Sequence, residues 1–245
     1  MSQKLSLFRG ITVPTEKASQ VKENILRKGI RGDEGRQWQP FRLNDLRKDI
    51  HTFLQKPDSS MTDTRPPETS TEYFSTVCAC GDELGASYYA IRHNAHEGVK
   101  ECSFVIHFTV ESSRVYVDGR DFLYTCFQLW DREDKRFLEV QRRALMRFFG
   151  NSIVQYFDRA AASNDQRDRI ALCDLACQDL RVIRSHAKNR IVIGGRHGVV
   201  FSSAFFVRVP LLPTEIVKVD AASELDFRPQ LTLDDFLSGR ISLDA

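Results

Sequence analysis

Three short segments of this chain hold residues whose types and spacing suit chemistry. The first is Leu7-Phe8-Arg9-Gly10-Ile11. An arginine amid apolar strand residues calls for an anionic partner, and a planar guanidinium holds a phosphate through two parallel N–H donors. The adjacent glycine lets a ligand approach the backbone. The second segment is Tyr73-Phe74-Ser75-Thr76, followed by a helix containing Ala86, Tyr89 and Ala90. The third runs from Leu212 to Asp220, where Glu215 is the first carboxylate after the acid-free stretch 180–214 and opens a β-branched run. A lone carboxylate in a positive field suits gripping a hydroxyl or stabilising a developing cation.

Other chemistries lack their physical device. Cys78-x-Cys80 and His93-x-x-His96 offer four ligands on paper, but zinc sites use C-x2–4-C spacing, so no metal is expected. Cys173 and Cys177 lie one helical turn apart on an apolar stripe and read as core. The sequence has no G-x-G-x-x-G, G-x-x-x-x-G-K-[ST] or G-x-S-x-G motif, which removes the usual dinucleotide, phosphate-loop and nucleophile-elbow readings. Gly194-Gly195-Arg196-His197-Gly198 reads as a hairpin turn in preference to an anion cradle.

In order and spacing, the three segments resemble the ADP-ribosyltransferase fold family of the arginine–serine–glutamate class. The resemblance covers residues 5–30, 72–119 and 198–220. It implies a split β-sheet core and NAD as substrate. It also implies that Arg9 holds the NAD phosphates, Gly10 admits the cofactor, Ser75 and Thr76 order the nicotinamide-side pocket, and Glu215 is catalytic. Transferases acting on arginine carry Glu or Gln two residues before the catalytic glutamate, where this chain has Pro213, and Val77 stands where the usual Ser-Thr-Ser ends. The acceptor is therefore expected to be a nucleic acid, RNA or DNA, ahead of a protein. Small enzymes of this kind resemble bacterial or phage toxins and defence effectors, for which an antitoxin or inhibitor protein is the expected regulatory partner. NAD hydrolysis, RNA 2′-phosphate transfer on the same fold, and a non-enzymatic basic binding module are the competing readings.

The elements that must position these residues follow from periodicity and turn chemistry. Strands are expected at 5–12, 72–77, 102–110, 113–119, 190–195, 198–202, 204–209 and 214–220. Helices are expected at about 16–28, 43–54, 82–94, 132–148, 151–162, 167–178 and 232–238. The Pro-, Ser- and Thr-rich segment 56–71 reads as a mobile loop. The pattern describes one α+β domain over 1–245 with a helical insertion near 128–180.

The chain has 245 residues and a formal charge of +2, unevenly distributed. Residues 1–50 carry a net +5, 51–179 a net −5, 180–214 a net +6, and 215–245 a net −4. The acid-free block and the basic helix 132–148 are the expected acceptor-binding surfaces, through Arg196 and Arg208 and through Arg142 and Arg143. Trp38, Trp130, Phe205 and Phe206 are available for stacking. No apolar signal region opens the sequence and no apolar run approaches 18 residues, so a cytoplasmic protein with reduced cysteines and no membrane span is expected.

Overall fold

Alternation of apolar and polar residues in KLSLFRGITVP forms the first strand, β1 (Lys4–Pro14), in a computed structural model of the chain. The structure describes residues 3–31, 36–38, 74–93, 98, 100–119, 122–128, 133–194, 200–223, 231–232 and 235. It combines an antiparallel sheet with helices, as an α+β reading requires. The expected helix at 43–54 and the loop 56–71 lie outside the described residues; of the expected helix 232–238 only Thr232 and Asp235 are described, and Thr232 ends a short strand, Leu231–Thr232.

The chain divides into two compact units. The first comprises residues 1–37, 75–115 and 190–231. Its sheet is built on β1 and β4 (Glu101–Glu111), which pair antiparallel over eleven positions from Lys4↔Glu111 to Pro14↔Glu101. Strand β9 (Ile216–Ala221) continues the sheet beyond β4, with a bulge at His107/Phe108. On the other side of β1 stands β3 (Phe74–Cys80), joined to it at Phe8↔Cys80. Beyond it, β8 (Ala204–Arg208) pairs with β3 from Thr76↔Arg208 to Cys80↔Ala204. Two sets of strands thus meet at one register position, β1 with β4 and β9, and β3 with β8. Strand β2 (Arg36–Trp38) pairs with β3, and β5 (Val115–Val117) follows β8 in the sheet order.

Helix α1 (Ala18–Lys28) turns Ala18 and Ile25 inward and stops at Gly29, whose φ of 72° is the left-handed conformation glycine adopts freely. Helix α2 (Glu83–Tyr88) begins at Asp82, whose Oδ1 accepts from the Gly85 N–H at 2.6 Å, and passes into a π-turn over Tyr89–His93. The helix expected at 82–94 is therefore shorter as an α-helix but starts where its cap predicts. Strand β6 (Ile193–Gly194) pairs with β7 (Val200–Phe201), in line with the hairpin reading of the glycine-rich segment, whose residues 195–199 lie outside the described set.

The second unit comprises residues 38–74, 116–189 and 232–245. Its helices are α3 (Phe122–Gln128), α4 (Lys135–Phe149), α5 (Ile153–Ala162), α6 (Gln166–Ala176) and α7 (Leu180–Ala187). Asp134, Asp165 and Asp179 cap α4, α6 and α7 with side-chain oxygens on backbone N–H groups. Aromatic contacts tie the helices together: Phe122 on Phe148 at 5.4 Å, Phe127 on Phe157 at 5.8 Å and Phe149 stacked on His186 at 4.3 Å. Among the described residues these helices lie between Phe122 and Ala187, beginning before and ending after the expected 128–180. No helix among the described residues is long and apolar enough to cross a membrane.

Candidate functional site

The site is built around the connection between β8 and β9, residues 208–215, which carries Glu215. Pro213 sets the backbone for a single 3-10 turn, Pro213–Glu215, at the entrance to β9. Glu215 Oε2 accepts from the Leu212 N–H at 2.7 Å, so the carboxylate closes its own turn. Glu215 Oε1 accepts from Arg114 Nη1 at 2.7 Å. The other guanidinium nitrogen, Arg114 Nη2, donates to the Arg208 carbonyl at 2.8 Å and to the Pro210 carbonyl. One arginine from the turn Ser112–Arg114 thus ties both ends of the connection and its only carboxylate.

Two further ties hold the same segment. Leu211 and Ile30 exchange backbone hydrogen bonds at 2.8 and 2.9 Å, fastening the end of α1 to it. A Cβ at Gly29 would lie 1.9 Å from the Leu211 carbonyl oxygen, so that close approach needs glycine. The Val209 N–H donates to the Ser75 carbonyl at 3.2 Å. The second sequence motif is therefore bonded through its backbone to the connection carrying the third.

Arg9 is part-buried on β1, and its Nη1 donates to the Cys78 carbonyl at 2.8 Å, on the strand that bears Ser75. The guanidinium thus reaches toward β3. Glu215 is held from its own side by Arg114, an ion pair spanning 101 residues of sequence. Nothing in the local sequence around Arg114 signals that pairing. Arg114, the counter-charge of Glu215, lies outside the acid-free block 180–214.

Several expected contributors have other duties. A Cβ on Gly10 would fall 1.9 Å from the Ala86 carbonyl oxygen and 2.8 Å from the Ala90 nitrogen. The close approach this glycine permits is that of helix α2, and the space is filled by protein. Thr76 is fully buried opposite Arg208, so its hydroxyl lies in the core and not on a ligand surface. Ser75 is part-buried. Arg208 is exposed and belongs to the site through its backbone carbonyl.

The acid-free block divides between the two units. Its first part is helix α7 in the second unit, where Arg181 pairs with the fully buried carboxylate of Asp179 at 2.9 Å. Its remainder lies in the first unit, where Arg196 is outside the described residues. On α4, Arg142 pairs with Asp158 through two contacts at 3.0 and 3.3 Å, and Arg143 Nε lies 4.0 Å from Glu139. Arg142 is therefore engaged within the unit in place of facing an acceptor. Trp130 and the Trp38 side chain lie outside the described residues. Phe205 is fully buried and Phe206 nearly so, which removes both as stacking surfaces.

A second polar cluster lies on the face of β4 covered by α2. His107 is buried, its ring edge-on to Phe8 at 5.0 Å, and its Nε2 stands 3.8 Å from Glu83 and 3.7 Å from Asp220. Burial and the neighbouring Lys218 outweigh the two carboxylates and lower the imidazole pKa. Among the described residues no three His, Cys, Asp or Glu side chains are grouped to hold a metal ion.

Comparison with protein-family models, with curated proteins and with solved structures returns no match to this chain. The functional reading rests on the residues and their geometry.

Proposed function

We propose that the chain is a mono-ADP-ribosyltransferase that cleaves NAD and transfers ADP-ribose to a macromolecular acceptor, with nucleic acid favoured over protein. The observation that carries this reading is the Glu215 carboxylate. It is fixed at the start of β9 by two hydrogen bonds, it keeps 16% of its side-chain surface exposed, and its connection is bonded to the Ser75 backbone. A carboxylate offers about four acceptor positions; among the described residues its oxygens accept from the Leu212 N–H and Arg114 Nη1, an arrangement that suits a further bond from a ribose hydroxyl.

The chemistry needs such a group. Breaking the bond between the ribose anomeric carbon and nicotinamide sends the electron pair to the leaving group and leaves positive charge on the sugar. A carboxylate oriented in advance stabilises that charge without reorganising during the reaction. The acceptor nucleophile then bonds the anomeric carbon and gives up its proton, yielding modified acceptor and free nicotinamide. Arg9 supplies the guanidinium for the NAD phosphates, and Ser75 stands on the nicotinamide side. Pro213 in place of Glu or Gln is the feature that favours a nucleic acid over an arginine side chain as acceptor.

A second reading is favoured by the same geometry. Because both Glu215 oxygens already hold protein donors, the residue also serves as the corner lock of a non-enzymatic module. Titration of NAD against thermal stability separates the two: the transferase reading predicts a rise in Tm at millimolar NAD, and an unchanged Tm contradicts it.

A further inference from the structure

We infer that Arg114 is a positioning residue for Glu215, holding its carboxylate in the orientation that the transfer step uses. The inference rests on the transferase reading of the same site.

Three acceptors converge on this guanidinium, and a backbone N–H donates to the carboxylate it holds. Arg114 Nη1 donates to Glu215 Oε1 at 2.7 Å, while Nη2 donates to the carbonyls of Arg208 and Pro210. The Leu212 N–H holds the second carboxylate oxygen at 2.7 Å. A planar guanidinium presents its donors at fixed angles, so binding two carbonyls fixes the direction of the third bond. Fixing Oε1 from one side and Oε2 from another leaves the carboxylate no rotation about its last bond without losing a donor. The register shift between His107 and Phe108 falls opposite the start of β9, immediately after Glu215. Arg114 is itself only 26% exposed along its side chain, which limits competition from solvent.

The geometry also says what a lysine would do there. An ammonium is a point charge on a flexible stem. It retains the ion pair with Glu215 but cannot hold both carbonyls and the carboxylate in one plane. The charge survives and the aim is lost. Arg114→Met removes both.

The test measures NAD turnover as separate kcat and KM values in the wild-type chain, Arg114→Lys and Arg114→Met. All assays run at a temperature where thermal melts show every protein folded. Backbone amide exchange at Leu212 and Glu215 is followed in parallel. Misplacing a reacting group by about 1 Å can cost about 100-fold in rate. The expected result is a kcat about 10–100-fold lower in Arg114→Met, a smaller loss in Arg114→Lys, a KM for NAD within about threefold of wild type, and faster exchange at both amides in Arg114→Met. A wild-type kcat in folded Arg114→Met overturns the role of Arg114, as does a loss confined to KM. Absence of NAD consumption by the wild-type chain with protein, RNA and DNA pools overturns the transferase reading itself, and the positioning role with it.

Discussion

Glu215 is the residue on which two demands meet. Its carboxylate closes the Pro213–Glu215 turn and pairs with Arg114, so it carries structure as well as the proposed chemistry. A carboxylate with no partners could be neutralised at little cost to stability, whereas this one accepts from two donors. Hydrogen bonds to charged groups contribute more than neutral ones, and removing one partner leaves the other unsatisfied. Glu215→Gln is expected to abolish transfer and also to lower stability by about 1–3 kcal/mol, read from urea unfolding. Loss of transfer at unchanged stability would mean that the Arg114 pair contributes little. Full activity in the variant would remove Glu215 from the chemistry.

Gly10 separates two explanations at the scale of the strand and helix it joins. If the glycine exists to admit a ligand, Gly10→Ala weakens NAD binding and leaves stability alone. The 1.9 Å approach of the Ala86 carbonyl oxygen predicts the opposite, a destabilisation of about 1–3 kcal/mol. Thermal melts with and without NAD decide between them.

The helical unit offers a prediction of its own. His186 is buried between α7 and α4, with Nδ1 3.2 Å from the Phe148 carbonyl oxygen, and burial lowers its pKa to about 4. Below pH 6.5 the unfolded chain takes up a proton there that the folded chain refuses, so this group costs stability as pH falls toward 4. The cost reaches about 3 kcal/mol at the lower limit. Asp174, buried against Tyr124 and raised to about 6 by that burial, acts with the opposite sign and gains stability as pH falls through 6. Only the difference between variants isolates the histidine. Relative to wild type, His186→Gln is expected to become progressively more stable between pH 6.5 and 4 in urea titrations. A difference independent of pH would contradict the assignment.

Elements with a strong local signal were legible in the sequence. Asp82, Asp134 and Asp165 each mark a helix start through a side-chain cap, and apolar alternation locates β1 and β4. Helices α3 and α7 were not legible. FLYTCFQ is apolar nearly all round, and the basic residues of LRVIRSHA drew α7 into a charge block instead of a helix. The site was half legible. Arg9, Ser75 and Glu215 stand out by type and context, whereas Arg114 becomes visible only when residues 101 positions apart meet.

Across the whole molecule, net charge by sequence position proved a poor guide to surface. The acid-free block 180–214 divides between the two units, and Arg181 and Arg142 are held by Asp179 and Asp158. Phosphate recognition, where it occurs, must therefore come from residues chosen by exposure and not by windowed charge. Arg142→Ala is accordingly expected to change nucleic-acid affinity by less than about twofold, since its charge is already compensated within α5. A gel-shift titration with RNA and with DNA checks this, and a loss of tenfold or more would restore Arg142 to the acceptor surface.

The central claim is tested most directly by incubating the purified chain with NAD labelled in its adenylate moiety and separate pools of protein, RNA and DNA. The prediction is stable label in one macromolecular pool, nucleic acid first, with stoichiometric release of nicotinamide and no label when Glu215 is replaced by Gln. No label in any pool from the wild-type chain, or undiminished labelling by Glu215→Gln, contradicts it.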